Sequence, residues 1–260
     1  MNHEAVAKAL RDAYEMGPIP SLRDCLAPDD IDGAYEIQSI NTRYWTEQGR
    51  RIVGRKVGLT ATAVQKQLGV NQPDFGVLFA DMQIADEGEL AAASLLQGRV
   101  EAEVALVLGR DIDNECAGVL DVLNAVEYAL PALEVVDSRI EDWHITFSDT
   151  VADNASSAYF VLGREPKSLG GLDLYSCGMV MTIDNQVAAV GAGAACLGHP
   201  LKAAAWLAAT LARREEPLRA GDVILTGALG PMATLAPNTR VRAVIGGLGA
   251  VEFGFSGGAS

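Results

Sequence analysis

Glu101 and Glu103 lie two residues apart in residues 98–109, where apolar side chains alternate with other residues. This period of two predicts a β-strand, on which both carboxylates point to the same side, roughly 6.5–7 Å apart. Such a pair either belongs to a solvated strand face or holds a divalent cation that removes the repulsion. The same face continues through Ala105 and Val107, and this apolar composition favours the cation.

Glu134 is the third candidate ligand, because it stands in the apolar run ALPALEVV, where a charge needs a partner. A salt bridge would satisfy it as well as a metal ion would. Lys56 is flanked by Gly54 and Gly58 in GRKVGLT. A lysine among small residues can reach a substrate carboxylate or transfer a proton after a pKa shift, although most lysines are exposed at the surface.

Asp74, in NQPDFG, and Ser156, in DTVADNASSAYF, are weaker candidates. The Pro-Asp step predicts a turn at Asp74, and Ser156 suits a helix cap or a polar loop. The glycine-rich stretches 191–198 and 245–250 do not fit a nucleotide-binding loop, and a GxSxG hydrolase motif is missing. The second stretch lies between two β-like runs and predicts a hairpin turn.

The composition excludes several classes of protein. The 34 acidic residues outnumber the 20 basic ones, and the net charge of −14 disfavours nucleic acid and anionic membrane surfaces as partners. The four cysteines are scattered and there are three histidines, which excludes a cysteine zinc cluster and a multi-histidine metal site. Free thiols and the lack of a secretory signal at the first residues predict a reducing, cytoplasmic location.

The elements that must position these residues follow an α+β pattern. Helical spacing predicts one helix that ends at Gly17 and a second over residues 30–49. Short β-like runs split by glycine follow, interrupted by helices near residues 61–68, 118–127 and 200–214. This order does not show the regular strand–helix alternation of a doubly wound fold.

We therefore predict a single functional unit with two parts. Residues 1–50 form an N-terminal helical cap, and residues 51–260 form a catalytic domain whose strands make a rolled or sandwiched sheet. The chain shows no internal repeat and no low-complexity linker.

Seven segments of the chain together resemble the 2-keto-4-pentenoate hydratases, also called 2-hydroxypenta-2,4-dienoate hydratases, of the fumarylacetoacetate hydrolase superfamily. The resemblance extends from the N-terminal helices to the last strand. The segments are GRKVGLT (54–60), QLGVNQPDFGVLFADM (67–82), EAEVALVL (101–108), PALEVVDSRIEDW (131–143), DTVADNAS (149–156), GAGAACLGHP (191–200) and LTGALGPM (225–232).

This resemblance implies a mixed β-roll core and a site for Mg²⁺ or Mn²⁺. The family binds the metal through a Glu-x-Glu pair and a third glutamate, which map to Glu101, Glu103 and Glu134. The family's conserved lysine, aspartate and serine map, in that order, to Lys56, Asp74 and Ser156.

The resemblance also implies an activity, that of a hydro-lyase in the meta-cleavage breakdown of aromatic compounds. Such enzymes add water to 2-hydroxypenta-2,4-dienoate and give 4-hydroxy-2-oxopentanoate. They assemble as large homo-oligomers, for instance pentamers or decamers, and can associate with the decarboxylase or aldolase of their pathway.

Three alternatives remain open at this stage. The sister family, 4-oxalocrotonate decarboxylase, has a similar fold and metal site. Superfamily hydrolases of 1,3-diketones use a His–Glu pair in the N-terminal part, where this chain has only His3, on an end that we expect to be frayed. A non-catalytic partner of a pathway enzyme is a third alternative, although the presence of all three glutamates argues against it.

Overall fold

The computed structural model of the protein describes residues 2–257. The predicted helices are present, within a few residues of the expected ends, and a further short helix, α5, was not predicted. The helices are α1 (His3–Met16), α2 (Ile31–Glu47), α3 (Thr62–Leu68), α4 (Val119–Ala125), α5 (Phe147–Ala152) and α6 (Pro200–Arg213).

The strands form two sheets and include the predicted β-like runs together with β2 and three very short strands that were not predicted. In chain order they are β1 (Ile52–Gly58), β2 (Asp74–Phe79), β3 (Gln83–Ile84), β4 (Glu89–Ala91), β5 (Arg99–Leu108), β6 (Val126–Val136), β7 (Ser157–Leu162), β8 (Gly178–Ile183), β9 (Gln186–Ala192), β10 (Val223–Ala228), β11 (Ala233–Thr234), β12 (Thr239–Ile245) and β13 (Gly249–Ser256).

The larger sheet has the strand order β2-β1-β10-β5-β6-β7-β3, with β11 paired to β5. Its pairs β1–β10 and β3–β7 are parallel and the other pairs are antiparallel, so the sheet is mixed. The smaller sheet has the order β4-β13-β12-β8-β9, and β12 and β13 form the predicted hairpin around residues 245–249. The smaller sheet packs against β6 of the larger one.

Strand β5 lies in the middle of the larger sheet and is buried on both faces. Val104 and Leu106 belong to the main apolar core, which also holds side chains of the smaller sheet. Ala105 and Val107 belong to a second apolar cluster on the opposite face. The predicted strand with alternating side chains is therefore confirmed, but the alternative of a solvated strand face is wrong.

Two other local expectations need correction. Asp74 does not lie in a turn: it is the first residue of β2 and is buried, with 1% of its surface exposed. His3 is not on a frayed end, because it begins α1 and its Nδ1 lies 2.8 Å from Glu36 Oε2 on α2.

In the described part of the chain, no helix has the length and apolarity needed to span a membrane. The division into a cap and a catalytic domain stays a prediction.

The N-terminal helices connect directly to the elements that carry the candidate residues. Helix α2 packs against α1 and α5. Gln38 of α2 is buried. Its amide nitrogen, Nε2, donates to the backbone oxygens of Phe75 in β2 and Val151 in α5, at 3.0 and 2.9 Å. This side chain therefore holds α5 against the first strand of the sheet.

Candidate active site

The three glutamates converge because of the register between β5 and β6. Glu101 and Glu134 are directly opposite each other, and Glu103 is opposite Ala132. All three side chains therefore project from one face of the sheet. One oxygen of each carboxylate lies within 4.8 Å of one oxygen of each of the others, so the sheet brings the predicted ligand set together.

Burial and mutual repulsion disfavour the ionised form of these carboxylates. Glu103 and Glu134 have no exposed surface. Among the described residues, Glu103 Oε1 and Glu134 Oε1 have no hydrogen-bond donor, and Glu134 Oε2 faces only the ammonium group of Lys56, 3.2 Å away. Burial, followed by repulsion from Glu134, raises the pKa of Glu101 to about 7. The same two causes, burial first, raise the pKa of Glu103 well above its usual value.

Gly227 holds the remaining oxygen of Glu103. Its N–H donates to Glu103 Oε2 at 2.7 Å. The pairing of β10 with β5 shifts register between Leu225 and Ala228, and this bulge turns the amide toward the site. Gly227 has a φ of 111°, and a Cβ there would lie 2.4 Å from a carbon of Thr60, so both the conformation and the space require glycine.

Lys56 is buried beside the glutamates. Its Nζ lies 3.2 Å from Glu134 Oε2 and donates to the backbone oxygen of Ala155 at 3.0 Å. Burial by itself lowers the pKa of this lysine, but the carboxylates around it, Glu134 first, more than offset burial and hold the pKa above its usual value. Lys56 is therefore a fixed cation and a hydrogen-bond donor at neutral pH.

Asp74 lies next to Lys56 because β1 and β2 pair with Gly58 opposite Asp74. A Cβ on Gly58 would lie 2.2 Å from Asp74 Oδ1 and 3.3 Å from Lys56 Nζ, so the glycine makes room for both charged groups. Burial raises the pKa of Asp74 to about 6, although Lys56 opposes the shift. Asp74 lines the cavity, and its Oδ1 has no well-aligned hydrogen-bond donor among the described residues.

Ser156 ends a tight turn that follows α5. It is buried, and its Oγ lies 3.4 Å from Thr150 Oγ1. The structure thus brings the six predicted residues together: Lys56, Asp74, Glu101 and Ser156 line one cavity, and the buried Glu103 and Glu134 adjoin Glu101. His144 and His199 are not among the described residues that line this cavity: His199 Nδ1 accepts from Leu201 N at the start of α6, and His144 is exposed.

The cavity has a volume of about 410 Å³, and its lining residues divide by chemistry into two sets, which are called its polar end and its apolar end. Lys56, Asp74, Glu101 and Ser156 line the polar end. Apolar side chains from three separate segments line the other end, namely Leu59, Val64, Trp143, Ile145, Pro231 and Met232.

Arg99 lies outside this lining, although it is close to the apolar end. Its guanidinium carbon lies 4.4 Å from the centroid of the Trp143 ring. Its Nη1 lies 3.5 Å from Met232 Sδ. Among the described residues that line the cavity, Lys56 is the single cation.

Sequence reasoning missed the backbone and apolar parts of this site. The Gly227 amide could have been suspected from the Thr-Gly step after a predicted strand, which is typical of a bulge. Trp143, Ile145 and Met232 lie in loops, and no periodicity marks loop residues as cavity lining. Their convergence depends on long-range packing that the local sequence does not record.

Comparison with known proteins agrees with this architecture. Residues 51–255 match the family model for the C-terminal part of fumarylacetoacetate (FAA) hydrolase. The chain is 54% identical over 253 residues to 2-keto-4-pentenoate hydratase 2 of Dechloromonas aromatica, with 97% of each chain covered. It is 51% identical to 2-keto-4-pentenoate hydratase of Paraburkholderia xenovorans, with 97% of this chain and 94% of that chain covered.

A solved structure shares the whole fold. The chain superimposes on 4-oxalocrotonate decarboxylase from Pseudomonas putida G7, solved with magnesium and adipate, with a TM-score of 0.93 and 34% identity over 97% of each chain. The predicted α+β fold, a mixed β roll with N-terminal helices, is thereby confirmed. The chain belongs to the fumarylacetoacetate hydrolase family, in its 2-keto-4-pentenoate hydratase branch.

Proposed function

We propose that this protein hydrates 2-hydroxypenta-2,4-dienoate to 4-hydroxy-2-oxopentanoate. One observation carries the proposal: three carboxylates converge, one of them at the polar end of a cavity whose other end is apolar, and the two buried ones have oxygens that accept no hydrogen bond from the described residues. A small dienoate has this same polarity, with a carboxylate and a 2-oxygen at one end and a hydrocarbon at the other. The names of relatives that are 51% and 54% identical give the same reaction.

The glutamate cluster fits a divalent cation. Glu101, Glu103 and Glu134 would hold it, since hard oxygen ligands suit Mg²⁺ and three carboxylates without a cation repel one another. The similar decarboxylase structure contains magnesium, which supports this choice of metal. A bound cation would act as a Lewis acid toward the substrate's carboxylate and 2-oxygen.

Lys56 and Ser156 are suited to hold the carboxylate end of the substrate. Lys56 is a buried ammonium group fixed between Glu134 and the Ala155 carbonyl, so it presents positive charge to an anionic substrate with little reorganisation. Ser156 lines the same end of the cavity and can donate its hydroxyl proton to the carboxylate. Lys56 offsets part of the negative charge that the glutamates and Asp74 place there.

Asp74 is suited to move protons, because its pKa of about 6 lies close to neutrality. In a first stage the enol proton is lost and carbon 5 gains a proton, which gives a 2-oxo-3-enoate. In a second stage the oxygen of water bonds to carbon 4 and a proton is delivered to carbon 3. One water is consumed and no redox partner is needed, so the atoms balance with the groups at hand.

The apolar end of the cavity favours hydration over the decarboxylase alternative. 4-Oxalocrotonate is a dicarboxylate, and its second carboxylate would need a cation or several donors at the far end. Met232, Ile145 and Val64 offer neither, and burial of an unpaired carboxylate against them is costly. The nearby Arg99 does not line the cavity, and its guanidinium lies against the Trp143 ring and Met232 instead. A dienoate with a hydrogen or short alkyl group at that end has no such cost.

A substrate panel tests the proposal directly. The purified protein with Mg²⁺ is given 2-hydroxypenta-2,4-dienoate and, separately, 4-oxalocrotonate, while loss of dienol absorbance, hydrated product and CO₂ are followed. We expect hydration of the first compound and no CO₂ from the second. CO₂ release from 4-oxalocrotonate at a higher kcat/KM would overturn the assignment, and the lack of any turnover or Mg²⁺ binding would favour a non-catalytic partner.

Glu103→Gln tests the glutamate cluster within that reaction. The amide has nearly the same shape and can still accept from Gly227 N–H, but it removes one charge from the ligand set. We expect kcat/KM to fall by about 100-fold or more and the response to Mg²⁺ to be lost. Glu115→Gln, at an exposed position, is the matched control, and wild-type turnover and Mg²⁺ dependence in Glu103→Gln would contradict the metal site.

A further inference from the structure

The turn at residues 154–156 has a strained backbone conformation that contacts from neighbouring residues must hold in place. Asn154, Ala155 and Ser156 have φ values of 55°, 51° and 54°. Three consecutive non-glycine residues in the left-handed region are strained and persist only when the surroundings hold them there. The turn supplies two groups to the active site, the Ala155 carbonyl that binds Lys56 and the Ser156 hydroxyl.

The Asn154 side chain holds the turn on the sheet. Its Oδ1 accepts from Val77 N at 2.7 Å, and its Nδ2 donates to Val77 O at 3.0 Å. Val77 lies in β2, the edge strand of the larger sheet. The asparagine amide therefore pairs with that edge as the peptide group of another strand would.

Gly76 lets the turn come close enough for this pairing. A Cβ on Gly76 would lie 2.4 Å from the Asn154 carbonyl oxygen and 3.2 Å from Ala155 Cβ. On the preceding side, Arg139 is fully buried and anchors Asp153, since its Nη2 donates to Asp153 O at 2.8 Å and its backbone N donates to Asp153 Oδ2 at 3.0 Å. The turn is thus fixed before and at its first residue.

We propose that Asn154 is a positioning residue for the reaction. Its amide, locked on Val77, fixes the Ala155 carbonyl against Lys56 Nζ and the Ser156 hydroxyl at the cavity wall. Among the described residues, the other group within 4 Å that holds Lys56 Nζ is the carboxylate of Glu134, which is one of the proposed metal ligands. The kinetic part of this inference rests on the proposed hydratase function.

The test compares Asn154→Gly and Asn154→Ala with the same changes at Asn185. Glycine adopts a left-handed φ without strain but has no side-chain amide. Asn154→Gly therefore removes the hydrogen bonds to Val77 while keeping a residue that suits the backbone conformation. Asn185 is the matched control because it also has a positive φ, 63°, in the exposed turn between β8 and β9. Thermal stability, kcat/KM for the dienoate and Mg²⁺ binding by calorimetry are measured for each variant.

We expect kcat/KM to fall by about 10- to 100-fold in both Asn154 variants, as small misplacement of catalytic groups does. Mg²⁺ affinity should change less than about threefold because the glutamates keep their places. Asn154→Gly should be more stable than Asn154→Ala, yet no more active. Both Asn185 variants should retain wild-type activity. Wild-type activity in Asn154→Gly would overturn the proposal, because the side chain would then serve only the backbone conformation.

Two readouts need no substrate and separate this proposal from the proposed function. Amide exchange at Val77 should accelerate in Asn154→Gly, because that N–H loses its acceptor. A crystal structure of the variant should show the Ala155 oxygen moved out of hydrogen-bond distance of Lys56 Nζ. Unchanged exchange and an unmoved carbonyl would refute the positioning role, even in a protein whose substrate proves to be different. An absence of dienoate turnover in the wild type would instead count against the hydratase assignment.

Discussion

At the scale of single residues, Asp74 is the group whose ionisation should control the rate. Burial raises its pKa to about 6, and a proton acceptor must be ionised to work. Activity that depends on Asp74 as a base should therefore be present above pH 6 and decline as the pH falls through that value. Lys56 and the backbone N–H groups of Gly58 and of Asp74 itself lower this pKa, but burial outweighs them.

Asp74→Asn removes the titrating group and keeps the shape. We expect kcat to fall by about 100-fold or more and the acid limb of the kcat/KM profile near pH 6 to disappear. Profiles from pH 5 to 9 for the wild type and the variant provide the measurement. Asp113→Asn, at an exposed aspartate, should match the wild type, and a full turnover rate in Asp74→Asn would rule out the acid–base role.

The residues differed in how well the sequence predicted them. Period-two alternation placed Glu101 and Glu103 on one face correctly, since strand geometry alone dictates that relation. The burial of Lys56 does not follow from composition, because lysine is usually exposed and its partners lie in other strands. The prediction of a turn at Asp74 was wrong. The Pro-Asp step that contains it is typical of turns, whereas the pairing of β2 with β1 is a long-range contact that the local sequence does not record.

At the scale of elements, the loop after β10 and the loop before α5 set the size of the apolar end. Met232 belongs to the first loop, and Trp143 and Ile145 to the second. A pocket of this kind discriminates by volume, and one methylene group is worth about 10- to 200-fold in kcat/KM. These side chains should therefore determine how long a substituent on the dienoate the pocket accepts.

Met232→Ala should shift preference toward longer dienoates. We expect the kcat/KM ratio of 2-hydroxyhexa-2,4-dienoate to 2-hydroxypenta-2,4-dienoate to rise by about tenfold, because the shortened side chain leaves room for an extra methyl group. Steady-state kinetics with both substrates give the ratio. Met16→Ala is the control, since Met16 is 83% exposed on α1, and an unchanged ratio in Met232→Ala would remove Met232 from the specificity pocket.

Long, strongly periodic elements were predictable and short ones were not. The pattern of apolar residues indicated α2 and α6 within a few residues of their ends. Helix α5 has only six residues, and most of its polar side chains are buried, so it shows no amphipathic stripe. Its start depends on Thr146 and Asp149, which cap each other across the first turn.

At the scale of the whole molecule, the charge of −14 does not attract an anionic substrate. Under the proposed function, Lys56 and the proposed cation would supply local positive charge, while most other acids lie on the surface. The predicted homo-oligomer stays a prediction. The same excess of acid has a consequence for stability, because four of the carboxylates face one another or Lys56 inside the fold.

Without metal, the folded protein should lose stability as the pH rises. The pKa of Glu101 is raised to about 7, and those of Glu103 and Glu134 are also raised above the ordinary value of 4.5. The folded state therefore binds protons more tightly than the unfolded chain. This contribution is fully present below about pH 4.5 and is lost as the pH rises through about 7, where the ionised carboxylates repel one another.

Mg²⁺ should reverse this loss, and more strongly at pH 8 than at pH 6, because bound carboxylates must be ionised. At a concentration 100 times the Kd, the gain is about 2.7 kcal/mol, which corresponds to a rise in Tm of roughly 5–10 °C for a chain of this size. Thermal unfolding at both pH values, with EDTA or with Mg²⁺, measures the effect. Glu103→Gln should show a weaker pH dependence and little response to the metal. An equal Tm with and without Mg²⁺ at pH 8 would mean that the converging glutamates do not form a metal site.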